Sequence, residues 1–185
     1  MNVIFKVGNI VEERADGLVC SGNVKLNMSG GVNGALLQGG GEAMQAALHA
    51  FLKSQGRAYV EPGFAMRIGP EPFHFKSIVY TVAIDPFYDS SVELVVKSLA
   101  NAFSILAEDG CETVAVPALA TGYGHLSKED FGRALRLCLA KRDWPFQEVR
   151  VVLKSDIDQA EVQSGYSRPA SAQAERQDVT LPERL

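Results

Sequence analysis

Apolar residues along this chain fall into two patterns. Short, mostly apolar runs occur at NVIFKV (2–7), GLVC (17–20), FAMRI (64–68), SIVYTVAI (77–84), TVAVPA (113–118) and EVRVVL (148–153). The last three are β-branched and lack polar alternation, which predicts strands covered on both faces; FAMRI carries the weakest signal. Between these runs the apolar positions recur every three or four residues. In SSVELVVKSLANAFSILAEDG, residues Val92, Val95, Val96, Leu99, Ala102, Phe103 and Leu106 fall on one helical stripe. Ser90 and Glu93 have the spacing of a capping box, and Gly110 stands where a left-handed terminal residue belongs. A second helix is predicted from SKEDFGRALRLCLAKRDWP, with Ser127 as N-cap, acids in its first turn, Phe131, Ala134, Leu135 and Cys138 as its buried stripe, and Pro145 as its stop. Residues 31–55 read as helical with a break at QGGGE. Strands alternating with helices predict a three-layer α/β domain. From residue 164 onward the chain turns polar and loses its period, so the domain is expected over 1–163 and a polar tail over 164–185, ordered only by docking.

Two segments break this pattern. NVKLNMSGGVNGALL (23–37) follows GLVC, and PALATGYGHLS (117–127) follows TVAVPA. Both are glycine-rich, and both lead from a strand to the start of a helix. In parallel α/β sheets ligands collect at the carboxyl ends of strands. Unpaired N–H groups and the helix dipole there favour an anion. Either loop alone reads as a turn more readily than as a ligand site, whereas the pair reads equally as turns and as a diphosphate clamp. No Gly-Lys-Ser/Thr follows either loop and no G-x-G-x-x-G occurs, so Walker-type triphosphate chemistry and the dinucleotide fingerprint are disfavoured.

Composition narrows the class further. Of 185 residues 46% are hydrophobic and 22% charged, which is ordinary for a globular protein. The net charge of −4 gives a phosphate backbone no general attraction, so no general nucleic-acid affinity is expected. No apolar run reaches membrane-spanning length, and MNVIFKVGN reads directly as a strand with no signal peptide. Cys20, Cys111 and Cys138 are odd in number and lack zinc-site spacing, so free buried thiols, a cytoplasmic location and no metal or cofactor are expected.

The order and spacing of these segments resemble the macro domain (Appr-1-p processing) family. VGNIVEERADGLVCSGNVKLNMSGGVNGALLQGGG resembles that family's G-D-I-T, D-A-I-V-N-A-A-N and G-G-G-V-x-x-A-I series; YVEPGFAMRIG and FKSIVYTVAI resemble its T-P-G-Y and V-I-H-T-V-G-P segments; VAVPALATGYGHLSKEDF resembles its A-F-P-A-I-x-T-G loop. The resemblance covers residues 2 to about 158. It implies a mixed, mostly parallel six-stranded sheet between helices, with a cleft for ADP-ribose whose diphosphate lies between the two loops. By this resemblance Asp16 reads adenine and Asn23 lies near the distal ribose. Ser29, Gly30, Gly31, Val32 and Asn33 form the first phosphate loop, and Ala120, Thr121, Gly122, Tyr123 and Gly124 the second. Tyr123 either covers the distal ribose or packs on its own loop.

Several positions depart from the family pattern. Cys20 replaces the first Asn of N-A-A-N, Asn9 replaces the G-D-I Asp, and Ser29 replaces the first glycine of G-G-G. Asn33 stands where many hydrolytic members carry an acid, and a carboxamide cannot serve as general base. No aromatic follows EVRVVL, which leaves Lys154 or Asp156 to border the base. Two classes of function remain open: a module binding free ADP-ribose or ADP-ribosylated protein or nucleic acid, and an ADP-ribosyl hydrolase or O-acetyl-ADP-ribose deacetylase acting through Asn23 and substrate-assisted water. A Cys20–His125 nucleophile pair would require contact between the two residues; a buried strand cysteine and a solvated loop histidine are the plainer reading.

Overall fold

In the computed structural model, residues 1–168 are described. Six strands form one sheet in the order β1-β6-β5-β2-β4-β3: β1 (Asn2–Val7), β2 (Gly17–Gly22), β3 (Ala65–Arg67), β4 (Ser77–Val82), β5 (Thr113–Val116) and β6 (Glu148–Leu153). All neighbours pair parallel except β3, which runs antiparallel to β4 along the edge. The carboxyl ends of β6, β5, β2 and β4 therefore lie side by side at one rim of the sheet.

Alternation along the central strands feeds two cores. Val19, Val79, Val114, Val116, Val149 and Val151 point to one face, where they meet α3 (Val92–Glu108) and α4 (Lys128–Ala140). Leu18, Cys20, Ile78, Tyr80 and Val82 point to the other face, toward α1 (Gly31–Gln38) and α2 (Glu42–Ser54). Every residue expected on the α3 and α4 stripes is buried. The cap of α3 differs from the expected one. Ser91 accepts from Leu94 N at 3.2 Å, whereas Ser90 Oγ donates to Ala83 O at 2.7 Å and so ties the preceding turn to the end of β4. Gly110 does adopt a left-handed φ of +66°.

A fifth helix, α5 (Asp156–Ser167), follows β6. It includes residues 164–167, which were expected in the tail, and its buried positions are only Val162 and Gly165. The helix packs by close backbone approach. A Cβ on Gly165 would lie 1.9 Å from Glu129 O, and one on Gly132 would lie 2.1 Å from Val162 O. Tyr166 packs edge-on against Phe5 at 5.2 Å. The tail beyond residue 168 lies outside the described residues.

Candidate ligand cleft

A cleft of about 490 Å³ opens along the carboxyl rim of the sheet. Leu153 and Lys154 at the end of β6, Pro117 and Ala118 after β5, Ser21 to Asn23 at the end of β2, and Ala83 and Ile84 after β4 line its floor. Three strand-to-strand steps of ~4.8 Å make this floor roughly 14 Å long. The two glycine-rich loops form the walls.

The first wall is the start of α1. Gly30 caps the helix with φ +63° and ψ 174°, and no side chain accepts a hydrogen bond from the first turn. Gly31 also has φ +52°. Gly34 N donates to Gly30 O at 2.8 Å, so the N–H groups before it, on Gly31, Val32 and Asn33, are those a helix cannot satisfy itself. The second wall turns sharply at Ala120, φ +61°, and again at His125, φ +53°. Leu126 N reaches back to Ala120 O at 3.1 Å, and Thr121 Oγ1 donates to Ala118 O at 2.9 Å. Gly124 is buried where a Cβ would meet Ile84 at 2.5 Å, which draws this loop against the end of β4. Tyr123, 66% exposed, joins the walls: its hydroxyl lies 2.9 Å from where a Cβ on Gly30 would stand. The ring lies against Gly30 of the opposite wall.

The residues expected at the site divide into two groups. Asn23, Ser29, Gly30, Gly31, Val32, Ala120, Thr121, Gly122, Tyr123 and Gly124 all line the cleft. Asp16 and Asn33 do not. Asp16 precedes β2 and so lies at the amino end of a parallel strand whose carboxyl end forms the floor, roughly 17 Å of chain away. Its Oδ2 accepts from Glu112 N at 2.8 Å, Thr113 N at 2.9 Å and Thr113 Oγ1 at 3.1 Å. Burial pushes the carboxyl pKa up, and these hydrogen bonds outweigh it, so the group titrates below its ordinary value. Asn33, only 2% exposed, lies beneath the cleft rather than in it. Its Nδ2 donates to Ser21 O at 2.9 Å, while its Oδ1 has no partner among the described residues.

Asn23 reaches the cleft with most of its amide already engaged. Oδ1 accepts from Lys25 N at 3.0 Å and Asn27 N at 3.4 Å, and Nδ2 donates to Asn27 O at 3.4 Å. Cys20 is fully buried in the α1/α2 core, and that burial drives its thiol pKa far up. His125 is exposed and absent from the lining, so the two do not form a nucleophile pair. Asn27, Tyr88, Lys128 and Asp158 line the cleft without having been expected. Tyr88 belongs to a turn that bears no helical or strand period. Lys128 and Asp158, paired at 2.8 Å, come from separate helices, and the helix bearing Asp158 lacks an apolar stripe. Asp158 is the one carboxylate among the described lining residues.

Comparison with known proteins gives a consistent picture. The macro domain family model matches residues 19–135. A macro domain-containing protein of Caldanaerobacter subterraneus subsp. tengcongensis is 30% identical over 157 residues, covering 82% of this chain and 87% of that protein. A protein of Cronobacter sakazakii named O-acetyl-ADP-ribose deacetylase is 31% identical over 123 residues, covering 64% and 66% of the two. Among solved structures, a mutant macrodomain of Oceanobacillus iheyensis with ADPR superposes with a TM-score of 0.75 at 20% identity, over 88% of this chain and 89% of that one. The Trypanosoma brucei macrodomain in complex with ADP gives 0.70 at 14% identity, over 89% and 68%. At these identities the structural likeness is one of fold.

Proposed function

Because this chain belongs to the macro domain family, we propose that its cleft binds ADP-ribose, free or attached to a protein or nucleic acid. One observation carries the reading: the open backbone N–H groups at the start of α1 face the second glycine-rich loop across the cleft, close enough for Tyr123 to reach Gly30. A diphosphate between Ser29–Val32 and Ala120–Gly124 would supply the acceptors those groups lack, at the positive end of the α1 dipole. The base then lies over the β6 end, bordered by Leu153, Lys154 and Asp158 in place of Asp16, and the distal ribose over the β2 end near Asn23 and Tyr88. The floor, roughly 14 Å long, matches a nucleotide extended by a second ribose better than a single phosphate. No cofactor or metal enters this reading. The free, buried cysteines fit a reducing compartment, so we place the protein in the cytoplasm. No helix among the described residues is long and apolar enough to cross a membrane.

Recognition is favoured over hydrolysis because no carboxylate among the described residues lines the ribose end of the cleft. Asp158 stands at the opposite end, paired with Lys128. Deacetylation or ADP-ribosyl hydrolysis is the second reading, supported by the name of the Cronobacter relative. It would need water activated by the ligand's own diphosphate and oriented by Asn23. Calorimetry with ADP-ribose, AMP and ribose 5-phosphate tests the first reading. AMP and ribose 5-phosphate should each bind at least tenfold more weakly, about 1.4 kcal/mol; equal affinities would overturn it. Incubation with an ADP-ribosylated protein and with O-acetyl-ADP-ribose tests the second, for which release of ADP-ribose or acetate is required.

A further inference from the structure

We propose that Asn27 donates a hydrogen bond from its side-chain amide to the distal ribose, and that His49 and Gln45 are the positioning residues that hold it there. This inference rests on the ADP-ribose reading above. It arises from an unusual convergence of restraints on an exposed loop. Gln45 on α2 reaches both neighbours of Asn27: its Oε1 accepts from Met28 N at 2.6 Å and its Nε2 donates to Leu26 O at 2.9 Å. Asn23 holds Asn27 from the other side, accepting from its N–H and donating to its carbonyl, both at 3.4 Å. The buried Tyr80 hydroxyl lies 3.4 Å from the same carbonyl. Leu26 takes a left-handed φ of +57°, a strained conformation for a leucine that these bonds sustain.

The side chain of Asn27 is restrained as well. Its Oδ1 lies 3.0 Å from His49 Nε2, and because a carbonyl oxygen only accepts, His49 donates through Nε2–H. The other branch of the carboxamide, Nδ2, has no acceptor among the described residues, although Asn27 lines the cleft. Asn23, assigned to the ribose by resemblance, has two N–H groups on its Oδ1 and a carbonyl on its Nδ2. Asn23 therefore chiefly builds the loop and keeps one N–H of Nδ2, whereas both N–H groups of Asn27 Nδ2 are without an acceptor among the described residues. A ribose hydroxyl is the acceptor this donor fits, since it accepts one hydrogen bond while giving its own proton elsewhere.

The discriminating experiment compares ADP with ADP-ribose, which carries the distal ribose as an ester on the terminal phosphate. The ratio of the two affinities is measured for the parent, Asn27→Ala, Asn27→Asp and His49→Ala. Asn27→Asp keeps the acceptor for His49 and removes the donor, while His49→Ala alters only an exposed side chain. The preference of the parent for ADP-ribose should fall about tenfold in Asn27→Ala, at least as far in Asn27→Asp, and about threefold in His49→Ala, with unliganded melting temperatures unchanged. An unaltered ratio in the Asn27 variants overturns the inference and leaves the ADP-ribose reading intact. Equal losses for both ligands also overturn it, since Asn27 would then only shape the phosphate loop. A parent that binds neither ligand overturns the reading and the inference together.

Discussion

The two ends of the sheet solve the same problem in opposite ways. At the amino end, the backbone N–H groups of Glu112 and Thr113 converge on one anion, and that anion is the protein's own Asp16 carboxylate. At the carboxyl end, the N–H groups of the first turn of α1 converge with no side chain to receive them. Backbone N–H groups in folded proteins are almost always paired, so the second arrangement is the one that calls for an external acceptor. Asp16 shows what a satisfied anion seat looks like in this molecule. In the reading proposed above, the cleft is a second such seat, built for an anion from outside the chain.

The sharpest way to break this comparison is to close the open seat from within. Gly122 has open space around its Cα and ordinary backbone, so Gly122→Glu introduces bulk and charge at the second wall without a conformational penalty. Affinity for ADP-ribose should fall about a thousandfold, roughly 4 kcal/mol, with an unchanged melting temperature. Gly31→Glu should lose as much affinity and also melt lower, because Gly31 has a positive φ. Parent-like binding by a folded Gly122→Glu would show that this loop holds no phosphate.

Short apolar runs marked all six strands, and the 3.6 period marked α3 and α4, because burial imposes those patterns; α1 and α2 were legible only as one helical region broken at QGGGE. The helix α5 escaped for a physical reason. Its contact with α4 is made by Gly132 and Gly165, whose backbones touch where larger side chains would be excluded, so no apolar stripe exists to be read. The glycine loops were legible as the rims of a cleft because each leads from the carboxyl end of a strand toward a helix N-terminus, where N–H groups lack intrahelical partners. Asp16 and Asn33 were misplaced because resemblance supplies an order of residues and not the direction of a side chain. Asn27 left no signal in sequence; its role depends on Gln45 and His49 reaching it from α2.

Asn33 sharpens the comparison from beneath the open seat. Restoring an acid there would supply a general base only if the side chain reached the cleft. Asn33→Asp instead buries a carboxylate beside Ser21 O and removes the amide that donates to it. A loss of about 3 kcal/mol of stability near neutral pH is expected, with no gain in ADP-ribose release. Burial raises the folded-state pKa of such an acid above its unfolded value. The penalty is therefore absent below the unfolded pKa, where the neutral acid can still donate to Ser21 O, and grows as pH rises through the folded pKa. Urea unfolding across pH 4 to 8 reads this slope, and turnover appearing in the variant would return Asn33 to the reacting centre.

Asp16→Ala tests the closed seat. Two backbone donors lose their acceptor, which should cost about 2 kcal/mol of stability while ADP-ribose affinity stays at the parent value. The folded pKa of Asp16 is lowered, so its stabilisation is present above the unfolded pKa and lost as pH falls through the folded one. The parent should thus lose stability on acidification more steeply than the variant. A variant that keeps its stability and loses ADP-ribose affinity would place Asp16 back in recognition.

The smallest effect concerns the strap between the two walls. Tyr123 is exposed, yet its ring lies against Gly30, so it restricts the mouth of the open seat without holding the fold. Tyr123→Ala should weaken ADP-ribose about fivefold, roughly 1 kcal/mol, mainly through faster dissociation, because the ligand loses a cover and not a charged contact. Tyr123→Phe keeps the ring over Gly30 and should bind within twofold of the parent. The two variants separate coverage from hydrogen bonding: if Phe loses as much as Ala, the hydroxyl contacts the ligand directly. Stopped-flow dissociation of a fluorescent ADP-ribose analogue measures both. An off-rate unchanged in Tyr123→Ala would mean that the walls of the cleft, and not the cover over them, set the residence time.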